Sequence, residues 1–512
     1  MFELSVASKY LKPRWRQISV SIISLISIFV IALVVWLVVV FFSVTHGLER
    51  SWIQKLTALT APIRILPTKD YYNSYYYHVD QLSSASGYAP KTIREKQLTS
   101  ISDPYNPNVD QDIPSSWIPA DRAENGSLKD IVKRAFDASQ SLQNFKGLSI
   151  NDFEMTVSNL RLHLQRHNPN SPIADSQTND RFLSQTTYLG TFDPDNTLLV
   201  KTVLPLSAAD LKNLTVPPSK SSSKLILNSD PILGDAILLP KGFRDAGVLA
   251  GDKGHLSYYA PTTSSVQEQS LPIFVAGFYD PGIFPIGGKY VLANREIIST
   301  IRPESFHDDA FVTNGINVRF ENLEETDQVK AALQKAFENE GISRYWRIET
   351  YKEFEFTKDL IQQLHSERNL WTLIATVIII VACSNIISML VILVNDKKTE
   401  IGILRSMGAT SFSIAAIFGT CGIIMGAIGS IIGTTLAVVT LHNLQSLVDF
   451  IGRMQGYDVF NPIFYGDTLP SEVSPEALFF VILTTSFVSL LAGIVPAIKA
   501  CTLRPSSILR SE

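Results

Sequence analysis

Apolar residues are concentrated in four stretches of the chain that carry no charge: 18–45, 370–394, 412–441 and 477–497. A helix needs about 20 consecutive apolar residues to cross a hydrocarbon core, and each stretch reaches that length. A buried helix of a soluble core is seldom so long and so free of charge, so the pattern predicts four transmembrane helices. The first run is too long for a signal-peptide core, and no small-residue cleavage motif follows it, so it reads as an uncleaved anchor.

The span 46–369 has an ordinary polar, aromatic-rich texture and predicts a large α+β domain between helices 1 and 2. Residues 62–67 read as a short strand. Residues 127–142 have helical periodicity, with Ser127 as the N-cap. Alternation over 153–164, and short runs at 237–239, 273–278 and 290–293, predict strands. Residues 317–320 and then 326–339 read as a strand followed by an amphipathic helix. Residues 217–224, rich in Pro, Ser and Lys, read as a loop or subdomain boundary. The cluster Tyr71, Tyr72, Tyr75, Tyr76 and Tyr77 fits either a contact surface or a strand packing its rings on the core.

Charge sets the orientation, although the net charge of −4 says little. Lys9, Lys12, Arg14 and Arg16 precede the first span. Lys397, Lys398 and Arg405 lie between spans 2 and 3, and Lys499, Arg504 and Arg510 follow span 4. The loop between spans 3 and 4 instead carries Asp449, Asp458, Asp467, Glu472 and Glu476, against Arg453 alone. The excess of Lys and Arg predicts cytoplasmic ends (1–17 and 498–512) and a cytoplasmic loop at 395–411. It follows that 46–369 and the short loop 442–476 face outward.

Within the third span, Gly419, Gly422, Gly426, Gly429 and Gly433 recur at steps of 3, 4, 3 and 4, which keeps them on one helical face. Lipid gives no hydrophobic drive for helix association, so a glycine face that admits a neighbouring backbone predicts a packing interface, within the chain or across a dimer. Asn385, an amide inside span 2, calls for an interhelical hydrogen bond. In the cytoplasmic loop, residues 399–407 predict a short helix, with Gly408 at the left-handed position that ends it. Ile401, Leu404 and Arg405 share a face of that helix. Two turns with exposed Ile and Leu are too short to be stable alone. Such a helix either lies along the membrane or enters a partner's groove.

Candidate catalytic chemistry is sparse. No G-x-x-x-x-G-K-[ST] phosphate-binding loop occurs. His163 and His167 have the i, i+4 spacing of helical metal ligands, but Leu164 stands where a zinc protease needs Glu. Ser221 and Lys224 match a serine–lysine spacing inside a low-complexity run, where chance suffices. Asn125-Gly126-Ser127 fits a glycosylation triplet, with the cap role of Ser127 the simpler reading. Cys383, Cys421 and Cys501 lie in or beside apolar segments, so no disulfide framework serves the outward domain. The chain reads as a non-enzyme, with no catalytic or metal-binding residues and no nucleic-acid partner.

Several blocks resemble the LolC/LolE family of lipoprotein-releasing transmembrane subunits, within the wider FtsX/MacB-type ABC permeases. They are Lys9-Tyr10-Leu11 with Arg14 and Arg16, Ser24-Leu25-Ile26-Ser27, and Ser43-Val44 with Gly47-Leu48-Glu49. Glu367-Arg368 leads to Val381-Ala382 and Asn385-Ile386-Ile387-Ser388. Further on come Glu400-Ile401, Ile403-Leu404-Arg405-Ser406-Met407-Gly408-Ala409, then Tyr465-Gly466-Asp467, Leu469-Pro470, Glu472-Val473, Pro496-Ala497, Arg504-Pro505 and Leu509-Arg510. The likeness is weak over 68–230 and returns at 237–252. Thr399 and Gly402 replace residues that are usually Arg and Ala in the family motif, and Gly402 would loosen that helix.

The resemblance implies a MacB-like periplasmic domain in an inner-membrane protein with both termini cytoplasmic. It implies that Glu400, Ile401, Leu404, Arg405, Met407 and Gly408 couple to a separate LolD-like ABC ATPase. That partner would hold ATP and Mg; this chain would need no cofactor. It further implies a second permease subunit, identical or homologous, membrane lipoproteins as substrate and a LolA-like periplasmic carrier. The first two spans would continue as stalks and transmit force. The position nearest the family's carrier-binding hairpin is 260–271, where an ordinary loop is the simpler expectation. The alternatives are an FtsX-like permease that signals to a cell-wall hydrolase and a MacB-like efflux component. The outward domain is larger than is usual for the first, and no fused ATPase supports the second.

Overall fold

Apolar length decides the largest elements. The computed structural model describes residues 6–7, 18–99, 103–142, 145–164, 181–193, 199, 233–261, 265–282, 287–301, 313–457, 460, 469, 473 and 475–502. Its helices include α1 (Ile18–Leu59), α2 (Lys69–Tyr72), α3 (Tyr75–Leu82), α4 (Ile93–Leu98), α5 (Ile131–Gln140), α6 (Arg295–Ile301), α7 (Thr326–Asn339), α8 (Glu355–Asp396), α9 (Lys398–Ser406), α10 (Ser411–His442), α11 (Leu444–Gln455) and α12 (Pro475–Thr502). Among the described residues three helices, over Ser24–Leu59, Thr357–Asp396 and Ser411–His442, are long and apolar enough to cross a membrane. In α12 the described apolar stretch is shorter, Leu478–Gly493.

Helices α1 and α8 outrun their apolar runs, so the expected limits at 45 and 370 fall inside helices rather than at their ends. The segment 442–476, expected as a loop, contains the helix α11. The chain divides into two units, Met1–Ser51 with Gln362–Glu512, and Trp52–Ile361.

The unit Trp52–Ile361 is built on one nine-stranded sheet in the order β3-β7-β4-β6-β5-β2-β8-β1-β9. Its strands are β1 (Ile63–Pro67), β2 (Ser149–Leu164), β3 (Arg181–Thr191), β4 (Asp235–Pro240), β5 (Lys253–Pro261), β6 (Val266–Tyr279), β7 (Tyr290–Ala293), β8 (Thr313–Arg319) and β9 (Trp346–Thr350). An additional pairing of β3 with β2 closes β3, β7, β4, β6, β5 and β2 into a ring, and β8, β1 and β9 continue from β2. Closure removes free edges from the ring.

Both faces of the ring's inner strands are covered. Ile237 and Leu239 of β4, with Val291 and Ala293 of β7, enter one core beside Ile297, Ile298 and Ile301 of α6. Ala236, Leu238, Tyr290 and Leu292 enter another, with Leu56 and Leu59 at the end of α1 and Phe354. That double burial explains why these strands read as continuous apolar runs without alternation.

Beside β1, β8 and β9, helices α2–α5 and α7 close a third core. Here the tyrosine cluster is neither a strand nor a contact surface. Tyr71 and Tyr72 lie in α2, and Tyr75, Tyr76 and Tyr77 in α3. All but Tyr72 are buried, and the Tyr71 ring lies 5.1 Å from that of Trp346. Buried tyrosine needs a partner for its hydroxyl. Tyr72 donates to Asn314 at 2.6 Å, Tyr75 to Asp103 at 2.7 Å and Tyr76 to Asp130 at 2.9 Å.

Asp130 also accepts from the Lys133 N–H and is the true N-cap of α5. The expected cap, Ser127, instead donates its hydroxyl to the Asn125 side chain in a turn, so the helix begins later, at Ile131. Within α3, Asp80 is held by Lys96 at 2.7 Å and Lys91 at 3.0 Å, with the Ser86 hydroxyl donating to it. Burial alone would raise the Asp80 carboxyl, but these donors outweigh it and hold it below its usual value. Asp280 behaves alike: burial is outweighed by Lys55, 2.6 Å away near the end of α1, and its carboxyl is lowered. The Arg64 guanidinium lies over the Phe153 ring at 4.4 Å, and burial pulls its pKa down to about 10.

Candidate functional site: a short capped helix on a glycine-packed permease core

Helix α9 follows α8 with one residue between them, Lys397. Lys397 is buried and pairs with Glu400 at 2.7 Å. At the other end Gly408 adopts φ +98°. The Ala409 N–H donates to the Leu404 carbonyl at 3.0 Å, and the Gly408 N–H to that of Arg405 at 3.1 Å. These two bonds form a Schellman cap, which satisfies the last carbonyls and fixes where the helix stops.

The faces of α9 differ from the sequence expectation. Ile401 is buried in the apolar core that also holds Leu390, Val394, Ile414 and Ile417, so it supports the helix rather than facing outward. Leu404 and Arg405 are half-buried. The apolar side chains left exposed are Ile403 (47%) and Met407 (79%), spaced i, i+4 and therefore on one side of the helix. Ile403 went unremarked in the sequence because a periodicity argument cannot say which side of a two-turn helix faces the core. The exposed Glu400 stays beside its Lys397 partner.

The glycines of α10 meet two different neighbours. A Cβ at Gly422 would sit 2.7 Å from the Ser489 carbonyl oxygen, and one at Gly426 would overlap the Ser489 hydroxyl, both on α12. A Cβ at Gly493 of α12 would in turn meet the Gly419 Cα at 3.0 Å. Farther along, a Cβ at Gly429 would lie 2.6 Å from Ile31, and one at Gly433 would strike the Ala32 carbonyl oxygen, both on α1. One stripe of absent side chains thus seats two helices on the third. Polar clasps add to it. Trp36 of α1 donates to Thr440 of α10 at 2.9 Å, and Ser27 of α1 donates to Asn385 of α8 at 3.4 Å. Asn385 is exposed.

In the other unit, the described residues at 260–261 and 266–271 belong to strands rather than to an irregular loop. Strands β5 and β6 stay paired out to Pro261 and Val266, through Ala260 with Gln267, Tyr259 with Glu268 and Tyr258 with Gln269. Strand β2 accompanies β5 only from Lys253 to Ser257, so the hairpin continues beyond its neighbour. Tyr259 and Gln267 through Ser270 are exposed there.

His163 lies on strand β2, where i and i+4 do not share a helical face, and its ring stacks on Phe182 at 4.7 Å. His167, Pro217, Ser221 and Lys224 lie outside the described residues, and Cys501 falls in the last turn of α12. Among the described residues no group of three or more His, Cys, Asp or Glu side chains could hold a metal.

Apolar helices packed on a glycine face, with a capped connecting helix between the second and third, fit a membrane permease. A family profile described as FtsX-like permease C-terminal matches residues 372–505, the stretch holding most of α8, then α9 to α12. Curated relatives narrow this. The chain is 32% identical over 167 residues to the lipoprotein-releasing system transmembrane protein LolC of Haemophilus influenzae, covering 33% of this chain and 38% of that one. It is 34% identical over 141 residues to LolE of the same organism, 27% and 34% of the two chains. It is 28% identical over 156 residues to LolC of Neisseria meningitidis, 30% and 38%. Over this part the chain is similar to the LolC/LolE permeases. The matched stretches span little more than a third of those relatives' length.

Proposed function

We propose that the chain is the permease subunit of an ABC-type lipoprotein-releasing complex in a bacterial inner membrane, with four spans, both ends cytoplasmic and the unit Trp52–Ile361 as a MacB-like periplasmic domain. The observation that carries the reading is the match at 372–505, whose capped helix α9 presents Ile403 and Met407. A separate LolD-like ATPase docks on that exposed side. A nonpolar residue pair on a short, rigidly capped helix suits a groove on a partner, since burying both side chains stabilises the contact by about 1.5–3 kcal/mol each. ATP and Mg belong to that partner.

Docking on α9 would move α8, which precedes it by a single residue, and the close glycine seats on α10 would carry the displacement to α1 and α12. A second permease subunit completes the complex, membrane lipoproteins are its substrate, and the β5–β6 hairpin offers edge strands and exposed polar side chains to a LolA-like carrier. Reconstitution of the chain with its ATPase, a second permease subunit and a lipoprotein in liposomes tests the reading. ATP-dependent transfer of the lipoprotein to a soluble carrier is the expected result. ATP hydrolysis without transfer from the complete set would replace release by FtsX-like signalling.

A further inference from the structure

We infer that α11 is an interfacial helix whose apolar face lies in the outer-leaflet boundary of the membrane, anchoring the end of α10 to lipid. The sequence of α11 is LQSLVDFIGRMQ. At 100° per residue, Leu444, Leu447, Val448, Phe450, Ile451 and Met454 fill one arc, and Gln445, Ser446, Asp449 and Arg453 fill the opposite one. Half of the apolar arc is turned inward, with Leu444 buried and Val448 and Ile451 half-buried. The other half is bare: Leu447 is 42%, Phe450 60% and Met454 75% exposed. Tyr457, just past the Gly456 cap, is exposed as well.

Continuity names what covers this face. Helix α10 ends at His442 and α11 begins at Leu444, with the break at Asn443. The last turns of α10 expose Ile431, Ile432, Leu436 and Val439, the surface a membrane-spanning helix gives to acyl chains. An apolar face starting one residue beyond such a surface is placed at the hydrocarbon boundary by its connection alone. The aromatic Phe450 and Tyr457 suit that depth.

The polar arc holds Asp449 against Arg453, so the helix has no cationic face for anionic headgroups. Its affinity is that of apolar insertion into any glycerophospholipid surface, and it will not depend on anionic lipid.

The inference rests on α10 crossing the membrane, so its test carries its own control. Single cysteines at Leu447, Asp449, Phe450, Arg453, Met454 and Ile431 are introduced into the full chain, with Cys383, Cys421 and Cys501 replaced, and spin-labelled in phosphatidylcholine vesicles. Collision with oxygen and with a water-soluble nickel chelate is then compared. Expected are oxygen-dominated labels at 447, 450 and 454, matching 431, and nickel-dominated labels at 449 and 453, unchanged when anionic lipid is added. Nickel-dominated labels at 447, 450 and 454 beside an oxygen-dominated 431 overturn the inference and leave the span intact. Labels shielded from both reagents overturn it in favour of a protein partner on that face. A nickel-dominated 431 overturns the spanning reading and the inference with it.

Discussion

The two units solve opposite packing problems. In Trp52–Ile361, water drives apolar side chains inward, and strands such as β4 and β7 bury both faces between separate cores. Its charges are paired where they are buried, as at Asp80 and Asp280. In the membrane unit, large apolar residues such as Phe29, Val381 and Phe479 stay on the outside. The contact between helices is made by what is missing, the Cβ atoms of Gly422, Gly426, Gly429 and Gly433. Bulk drives one unit together and closeness holds the other.

The sharpest way to break this contrast is to fill the glycine seats. Gly433→Leu sets a side chain against the Ala32 carbonyl, which cannot rotate away, so α1 and α10 must part. The expected outcome is loss of a monodisperse full-length protein on size-exclusion chromatography, while Ile431→Leu on the exposed side leaves the profile unchanged. An unaltered Gly433→Leu profile would remove the seat from the account.

A change at the buried ion cluster should cost the unit Trp52–Ile361 less, and only that unit. Lys96→Met strands Asp80 with Lys91 alone, a loss of up to about 3–5 kcal/mol for a buried pair. Hydrogen exchange would read it as faster exchange in α3 and α4 with no change in α10. Adding Asp80→Leu should restore part of the loss.

Acid separates the units in the same way. The Asp80 and Asp280 carboxyls are lowered in the folded chain. Their contribution is therefore full above the ordinary value of 3.8 and lost as pH falls through the lower folded values. Near-UV circular dichroism of the tyrosines in Trp52–Ile361 should collapse below about pH 3.8, while far-UV helicity from the long apolar helices persists. The smallest effect is expected at the cap: Gly408→Ala at φ +98° should cost about 1 kcal/mol, read as a small drop in melting temperature.

The long apolar helices α1, α8 and α10 were legible because length and absence of charge are one-dimensional properties, and the Gly408 cap because its geometry is local. The glycine spacing announced a packed face, yet which glycine meets α1 and which meets α12 depends on three dimensions. Where α1 and α8 end was not legible from hydropathy, which marks where lipid ends; a helix continues past that point if its own hydrogen bonds do. At Ser127 a nearby Asx-type turn competed successfully for the hydroxyl. The tyrosines defeated a period argument since five of them within seven residues of 71–77 satisfy helix and strand alike. On α9, only the packing of Ile401 revealed that Ile403 and Met407 form the open side.

Whether the open side of α9 docks the proposed ATPase is read by capturing that ATPase on the permease. Full-length chains carrying Met407→Asp or Ile403→Asp would be co-expressed with the ATPase and purified through a tag on the permease. The account predicts normal insertion and a monodisperse permease with the ATPase lost. Co-purification at the unmodified level would contradict it and return α9 to the membrane surface.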